Sequence, residues 1–476
     1  MKTFVEDYLS MNQGVFERVS EYIYNHPETR FEEYASSEFL AAECEKQGFS
    51  VERHVANIET AFTATYGSGE PVIGFLGEFD ALSGLSQEPN ATSYKPLDRD
   101  VGHGCGHNLL GTGAFAAACA AKAYLEKHHL DGTIKFFGCP GEEGGSGKTF
   151  MVREGVFDGV DTALTWHPSP SNSIMSLSSL ANYQVYFKFN GVSAHAANAP
   201  HLGRSALDAV ELMNVGVNYL REHIIQEARI HYAVTHTGGI SPNVVQANAE
   251  VLYLIRAPRV HQVDDIFNRV KKIAEGAALM TDTELSIEFD KACSNYIPNR
   301  RLEKILYNNF QDVNIDQPTK DEVAFAKDIW SSLSEAEQDN FLDSMKGFGY
   351  VGDGREFSGK YLSDAISSYH ASNDILSGST DVSDVSWVVP TAQLTSSTST
   401  LGTHLHTWQM TTQGLSRYAL RGTLRAAETM ALTGLQVLTN PKDLEAIKEE
   451  FHQFRENNDY HCPIPKDVTP SKLYEH

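Results

Sequence analysis

Thr133-Ile134-Lys135-Phe136-Phe137-Gly138-Cys139-Pro140-Gly141-Glu142-Glu143-Gly144 is the stretch on which the reading of this 476-residue chain turns. Its first five residues, bounded by Gly132 and Gly138, have the short apolar-rich pattern of a buried strand. A Gly/Pro loop then leaves the strand and carries two adjacent carboxylates. Such neighbours repel unless a metal, a shared proton or an Arg sits close by. Alone, the pair reads as a solvated turn, and only partners elsewhere in the chain change that. Gly144–Thr149 imitates the end of a phosphate-binding loop, but the position where that pattern needs its first Gly is Glu142. Two carboxylates there would face the anion that the loop amides are meant to cradle, so the nucleotide reading is set aside.

Working outward, the same texture repeats. Pro71–Gly77 is a buried-strand pattern followed by Glu78-Phe79-Asp80-Ala81-Leu82, and Thr162–Trp166 is another, ending at His167-Pro168. Between them, Gly102-His103-Gly104-Cys105-Gly106-His107-Asn108 precedes an Ala-rich helix over Leu109–Glu126. Strands alternating with helices predict an α/β fold with a mostly parallel sheet and helices on both faces, whose ligands gather at the strands' carboxyl ends. Each polar cluster falls at such an end. Residues 1–60 predict two helices, Asp7–Tyr24 and Glu32–Gln47.

From Asn182 the order becomes β-α-β-β-α-β: strands over 183–189, 230–236, 247–255 and 284–289, with helices over 204–223 and 262–280. That is a ferredoxin-like α+β unit inserted in the host sheet, with a sheet edge and a helix face suited to dimerisation. The expected division is a discontinuous catalytic domain, 1–181 and 296–476, around a lid and dimerisation domain at 182–295. A polar segment at about 312–378, helical over 321–333 and 334–345, reads as an insertion without a core of its own. Arg417–Leu438 is the expected closing helix, and the tail from Asn457 reads as extended.

Composition narrows the function classes. Hydrophobic content of 41% with 21% charged residues is that of a globular enzyme of two or three domains. A net charge of −24 argues against nucleic-acid or membrane-surface partners. No signal-peptide core or membrane-length apolar run is present, and the six scattered cysteines fit reduced thiols, so a cytoplasmic location is expected.

Cys105, His107, Glu143, His167 and His406 lie at predicted strand ends and offer thiolate, imidazole and carboxylate donors, a mixture suited to Zn²⁺ or Mn²⁺. Five donors exceed the need of one open site, so two divalent ions per subunit are expected. Glu142 would stay free to accept a proton and return it to a leaving amine. His404 lies two residues before His406 and, were the segment a strand, would share its face, which leaves either as the ligand.

These motifs, with Gly191-Val192-Ser193-Ala194-His195-Ala196 and Leu405-His406, resemble the M20 metallopeptidases, in particular their amidohydrolase branch. His26–Phe31 and Cys462-Pro463-Ile464-Pro465-Lys466 bring the chain nearest to the aminobenzoyl-glutamate hydrolases of that branch. The resemblance implies that Cys105, His107, Glu143, His167 and His406 ligate metal, that Glu142 is the general acid/base, and that Asp80 orients a ligand from behind. It implies that His195 reaches the oxyanion, in the partner subunit's site, and that Asn243 and Arg256 hold the substrate carboxylate. The implied reaction is hydrolysis of an N-aroyl or N-acyl amino acid with a free carboxylate, p-aminobenzoyl-glutamate foremost, giving p-aminobenzoate and glutamate in folate catabolism. Alternatives are a general hippurate-like hydrolase or a partner subunit of a hetero-oligomer with an A-type chain; a homodimer is equally compatible. Asn108 stands where the branch usually has an acidic residue.

Overall fold

Four parallel strands form the centre of the larger sheet. In the computed structural model, which describes residues 1–473, Gly132–Cys139 pairs with Val72–Glu78, that strand with Thr162–Ser169, and the last with Thr391–Ser397. Antiparallel strands flank this centre, Ser50–Arg53 and Phe62–Ser68 on one side and Ser173–Ile174 on the other, giving a seven-stranded sheet. The helix His107–His128 lies against the central strands with its Ala-rich middle fully buried, since small side chains let it approach closely. Trp166 is buried beneath it and donates its indole N–H to the Leu110 carbonyl at 3.0 Å.

The strand Thr391–Ser397 has no counterpart among the sequence expectations. Five of its seven residues carry hydroxyl or amide side chains, which dilutes the apolar signal of a buried strand. All seven are nonetheless buried. Their hydroxyls are satisfied internally: Ser396 donates to the Gly422 carbonyl at 2.7 Å and Ser397 to that of Pro170 at 3.1 Å. A helix at Pro441–Arg455, with Pro at its first turn, likewise follows the expected closing helix, found at Arg417–Thr439. At the other end, the helix expected over 7–24 is two helices, Lys2–Met11 and Gln13–Asn25, broken at Asn12, whose side chain folds back on the Tyr8 carbonyl at 2.8 Å.

The second sheet is four-stranded: Glu284–Cys293, Ala181–Asn190, Asn248–Ala257 and Arg229–His236, all antiparallel, in that spatial order. Helices Ala206–Leu220 and Val260–Thr281 cover one face. Arg229–His236 is an edge, and Tyr232 and Val234 on it are 39% and 41% exposed. The 312–378 segment carries three short α-helices, Lys320–Ser331, Glu335–Asp339 and Phe341–Lys346. It differs from expectation in having a small apolar cluster, Met345, Tyr350 and Phe357, closed by Leu401 of the host. No helix among the described residues is long and apolar enough to cross a membrane.

Candidate metal centre

Parallel strands end together, and that brings distant residues to one place. Cys105, His107 and His167 present donor atoms within 4.8 Å of one another, as do Cys105, Glu143 and His406. Cys105 Sγ lies 3.4 Å from His167 Nε2, and His406 Nε2 lies 3.1 Å from Glu143 Oε1. Gly106, at φ +80°, turns the chain so that His107 is the first residue of its helix while Cys105 stays in the loop before it. His167 lies within its strand rather than beyond it, and its Nδ1 faces the Pro168 carbonyl at 2.8 Å, leaving Nε2 for the centre.

Backbone shape separates the two histidines. Residues 402–407 form a turn, His406 has φ +61°, and its side chain reaches Glu143. His404 is in none of the donor groups found among the described residues.

Asp80 links two of the expected ligands. Its Oδ1 faces His107 Nδ1 at 2.8 Å and its Oδ2 accepts the Glu143 amide at 2.7 Å. His107 therefore turns Nε2 inward, and that buried nitrogen has no hydrogen-bond partner. An orphaned imidazole nitrogen beside a cysteine sulfur and a second imidazole is what a divalent-ion site requires, so the residues present fit the metal. Burial lowers the charge preference of His107, yet the neighbouring Cys105 and Asp80 overcome it and hold the imidazole's pKa well above its usual value. Glu142 is half-buried, and burial, then Glu78 and Glu143, push its carboxyl well above the ordinary range. Glu143 goes the other way: burial opposes ionisation, but the His406 hydrogen bond and the His107 charge hold it at about 2. Two adjacent carboxyls thus differ in proton affinity, Glu143 favouring its charged form and Glu142 its protonated one.

Three contributors were not singled out from the sequence. Glu78, at the end of its strand, lies 3.3 Å from His107 Nε2 and joins His107 and Glu142 in a third donor group. Lys148, set aside with the false phosphate loop, is fully buried and bridges Glu78 and Asp381 at 2.7 Å each; these two anions keep it charged against the cost of burial. Arg30 pairs with Asp290 of the lid sheet at 3.0 and 3.2 Å and also donates to the Gly144 carbonyl, tying the Glu142–Glu143 loop to the second sheet. The signal that could have found Lys148 was a lysine flanked by small and apolar residues. Asn108 donates to Ser20 and to the Gly414 carbonyl at 3.0 Å each, a structural tether.

The remaining expected residues lie apart. His195 is exposed on the lid; its Nδ1 accepts amides of Ala197 and Asn198 at 3.3 and 3.1 Å, which leaves the ring proton on Nε2. Asn243 sits beside it, its carbonyl accepting the Ala196 amide at 2.9 Å. Arg256 is at the opposite end of the lid sheet. It shares a strand with Asn248, eight residues away, which at about 3.3 Å per residue is about 26 Å. Its Nη1 approaches the Ser377 carbonyl at 3.5 Å, its buried Nε has no partner, and it lies within electrostatic reach of Glu142. Within one chain, Asn243 and Arg256 do not meet. A cavity of about 940 Å³ lies elsewhere, between Pro258, Tyr296, Trp387 and Tyr460, and includes none of the metal-donor residues in its lining.

Residues 74–357 match the model of peptidase family M20/M25/M40. A chain of the p-aminobenzoyl-glutamate hydrolase of Escherichia coli (strain K12), named as one of that enzyme's subunits, is 51% identical over 99% of this chain and 98% of its own. The chain belongs to the M20 family. It is accordingly a metal-dependent amidohydrolase that binds divalent ions. Among solved structures, an aminobenzoyl-glutamate utilization protein from Klebsiella pneumoniae superposes with a TM-score of 0.60 at 16% identity, over 92% of this chain and 99% of that one. A dinuclear metal-binding M20 peptidase from Bacillus subtilis does so with a TM-score of 0.52 at 16% identity, over 92% and 99%. At such identities these two speak for the M20 fold, a mostly parallel catalytic sheet with a lid.

Proposed function

We propose that this M20 enzyme cleaves p-aminobenzoyl-glutamate to p-aminobenzoate and glutamate, using two divalent ions, Mn²⁺ or Zn²⁺. The observation that carries the chemistry is the convergence of Cys105, His107, Glu143, His167 and His406 with Glu142 left at their edge. Support for the substrate comes from the relative that is 51% identical over nearly the whole chain and is named for it. Cys105, His107, Glu143, His167 and His406 would hold the ions, which when bound polarise a carbonyl and acidify water. Glu142, with its raised proton affinity, takes a proton from water and delivers it to the amide nitrogen as the amine leaves. Arg256, with an unpartnered Nε near Glu142, receives the glutamate carboxylate through a planar fork suited to it.

His195 and Asn243 act, in this reading, in the site of a second chain, where the His195 Nε2–H donates to the oxyanion. The exposed strand edge at 229–236 and the outward Val215 and Tyr219 of the lid helix, 52% and 75% exposed, support a lid-to-lid dimer of catalytic domains 1–181/296–476 and lids 182–295. That second chain is another copy or, since the Escherichia coli relative is named as one subunit of its enzyme, an A-type subunit. A cytoplasmic place in folate catabolism follows from the substrate.

The test is release of p-aminobenzoate from p-aminobenzoyl-glutamate by the purified chain, metal-stripped and then reloaded with Mn²⁺ or Zn²⁺, beside benzoyl-glycine. Metal-restored cleavage that prefers the glutamate conjugate supports the reading. Preference for the glycine conjugate would replace it with a hippurate-type hydrolase. Full metal occupancy without turnover would make the chain a subunit awaiting its partner.

A further inference from the structure

We propose that Phe348, carried to the metal centre by the 312–378 insertion, is the wall that receives the aromatic acyl group and so sets acyl specificity. This rests on the reading of the site as an aroyl-amino-acid hydrolase and names the residue that would make it prefer aroyl over alkanoyl substrates.

The ring of Phe348 lies over His167, with centroids 5.6 Å apart and planes 31° from parallel. That is the spacing of an aromatic contact. Phe348 is half-buried and is not a member of the insertion's own apolar cluster, which is built from Met345, Tyr350 and Phe357 around Leu401. Its ring packs on His167 rather than within that cluster.

The position is held from behind. The Phe348 amide donates to the Met345 carbonyl at 2.9 Å, and the Tyr350 amide donates to the same carbonyl at 3.1 Å, closing a tight turn after the helix Phe341–Lys346. Gly349, at φ +87°, completes it, and a side chain there would run into the Ile174 carbonyl and meet the Met175 Cα at 3.1 Å. Glycine is needed both for the backbone angle and for this close approach. The insertion also packs Leu333, Trp330 and Phe341 against Gly402, at the start of the turn that carries His406.

Two unlike walls result. Arg256 lies opposite Asn182, whose other neighbour Cys293 belongs to the strand that packs against the Glu142–Gly145 turn, and Phe348 stands against His167. A substrate whose scissile amide lies between Glu142 and the metal donors then directs its amino-acid half toward the cation and its acyl half toward the ring. A planar aromatic acyl group gains offset or edge contact there that an acetyl group cannot make.

The experiment compares kcat/KM for p-aminobenzoyl-glutamate and N-acetyl-glutamate in the metal-loaded wild type, Phe348→Ala and Phe348→Leu, with metal content and the Kd for p-aminobenzoate measured on each. Expected for Phe348→Ala is a loss of about 10- to 100-fold on the aroyl substrate, mainly in KM, as for removal of apolar pocket contacts. N-acetyl-glutamate turnover and metal content should hold, p-aminobenzoate should bind more weakly, and Phe348→Leu should fall between. Equal losses on both substrates, or lost metal, would mean that the ring merely packs His167 and would overturn the proposal, as would an unchanged aroyl-to-acetyl ratio. Should the wild type prefer glycine conjugates, the substrate reading fails by itself, and the benzoyl-glycine to acetyl-glycine ratio then decides on Phe348.

Discussion

The polar groups at the metal centre and those at the lid edge are built in opposite ways. Cys105, His107 and His167 are drawn together by the ends of parallel strands and a helix start, largely shielded from water and braced from behind by Asp80 and by Lys148 between its two carboxylates. His195 and Asn243 are held in a defined loop geometry, with the ring tautomer set by backbone amides, yet both are exposed, and His195 joins none of the donor groups found among the described residues. The first patch is finished by folding. In the proposed reading, the second is preorganised for a surface that another chain supplies. Preorganisation without a local partner points to completion by another molecule.

The sharpest way to break that comparison is at Glu142. Glu142→Gln keeps the size and the donors around it, so metal content should persist while kcat falls by about 10²–10⁴, the usual share of a proton carrier. Wild-type turnover in that variant would remove Glu142 from the role. His195→Ala should cost about 10²–10³ in kcat if its Nε2–H meets an oxyanion. Mixing unfolded His195→Ala and Glu142→Gln chains and refolding them together should recover part of the activity, because a mixed dimer contains one site with both residues intact. Absence of recovery in a verified mixed dimer would return His195 to its own chain's site or to none.

Lys148→Met tests the bracing. It strands Glu78 and Asp381 as buried, uncompensated carboxylates, and chemical denaturation should show a loss of about 3–5 kcal/mol. A variant as stable as wild type would mean that the pair is relieved by protonation or water. The smallest effect is expected outside both patches, at Glu428. Burial, with help from Glu6, raises its carboxyl from 4.5 to about 7. The native state then keeps a proton that the unfolded chain releases, so its stability falls as pH rises between those values and the penalty persists above 7. Glu428→Gln should stabilise by about 1 kcal/mol at pH 8, after allowance for solvent screening, and by nothing at pH 4. Equal effects at both pH values would exclude the proton as the cause.

Much of this was readable from the residues. The buried strands at 72–78, 132–139 and 162–169 announce themselves by short apolar runs between turn residues, and the lid by its β-α-β-β-α-β order. Thr391–Ser397 did not, because a strand whose hydroxyls are all satisfied inside the protein looks, as a string, like a polar loop. Lys148 was hidden by its charge, since a lysine is expected at the surface unless its counter-ions are known. Phe348 gave no signal: an aromatic in a polar insertion is ambiguous until its neighbour is seen.

By itself, the order of residues determined the alternation of strands and helices, the chemistry of the donors and the presence of two carboxylates side by side. Those are local or compositional properties, written in period and side-chain type. Only the tertiary structure decided that His406 rather than His404 reaches Glu143, that Glu142 and Glu143 differ in proton affinity, and that Asn243 and Arg256 stand at opposite ends of one sheet. Each of these depends on through-space distance and burial between segments far apart in the chain, and neither quantity is defined until the chain has folded.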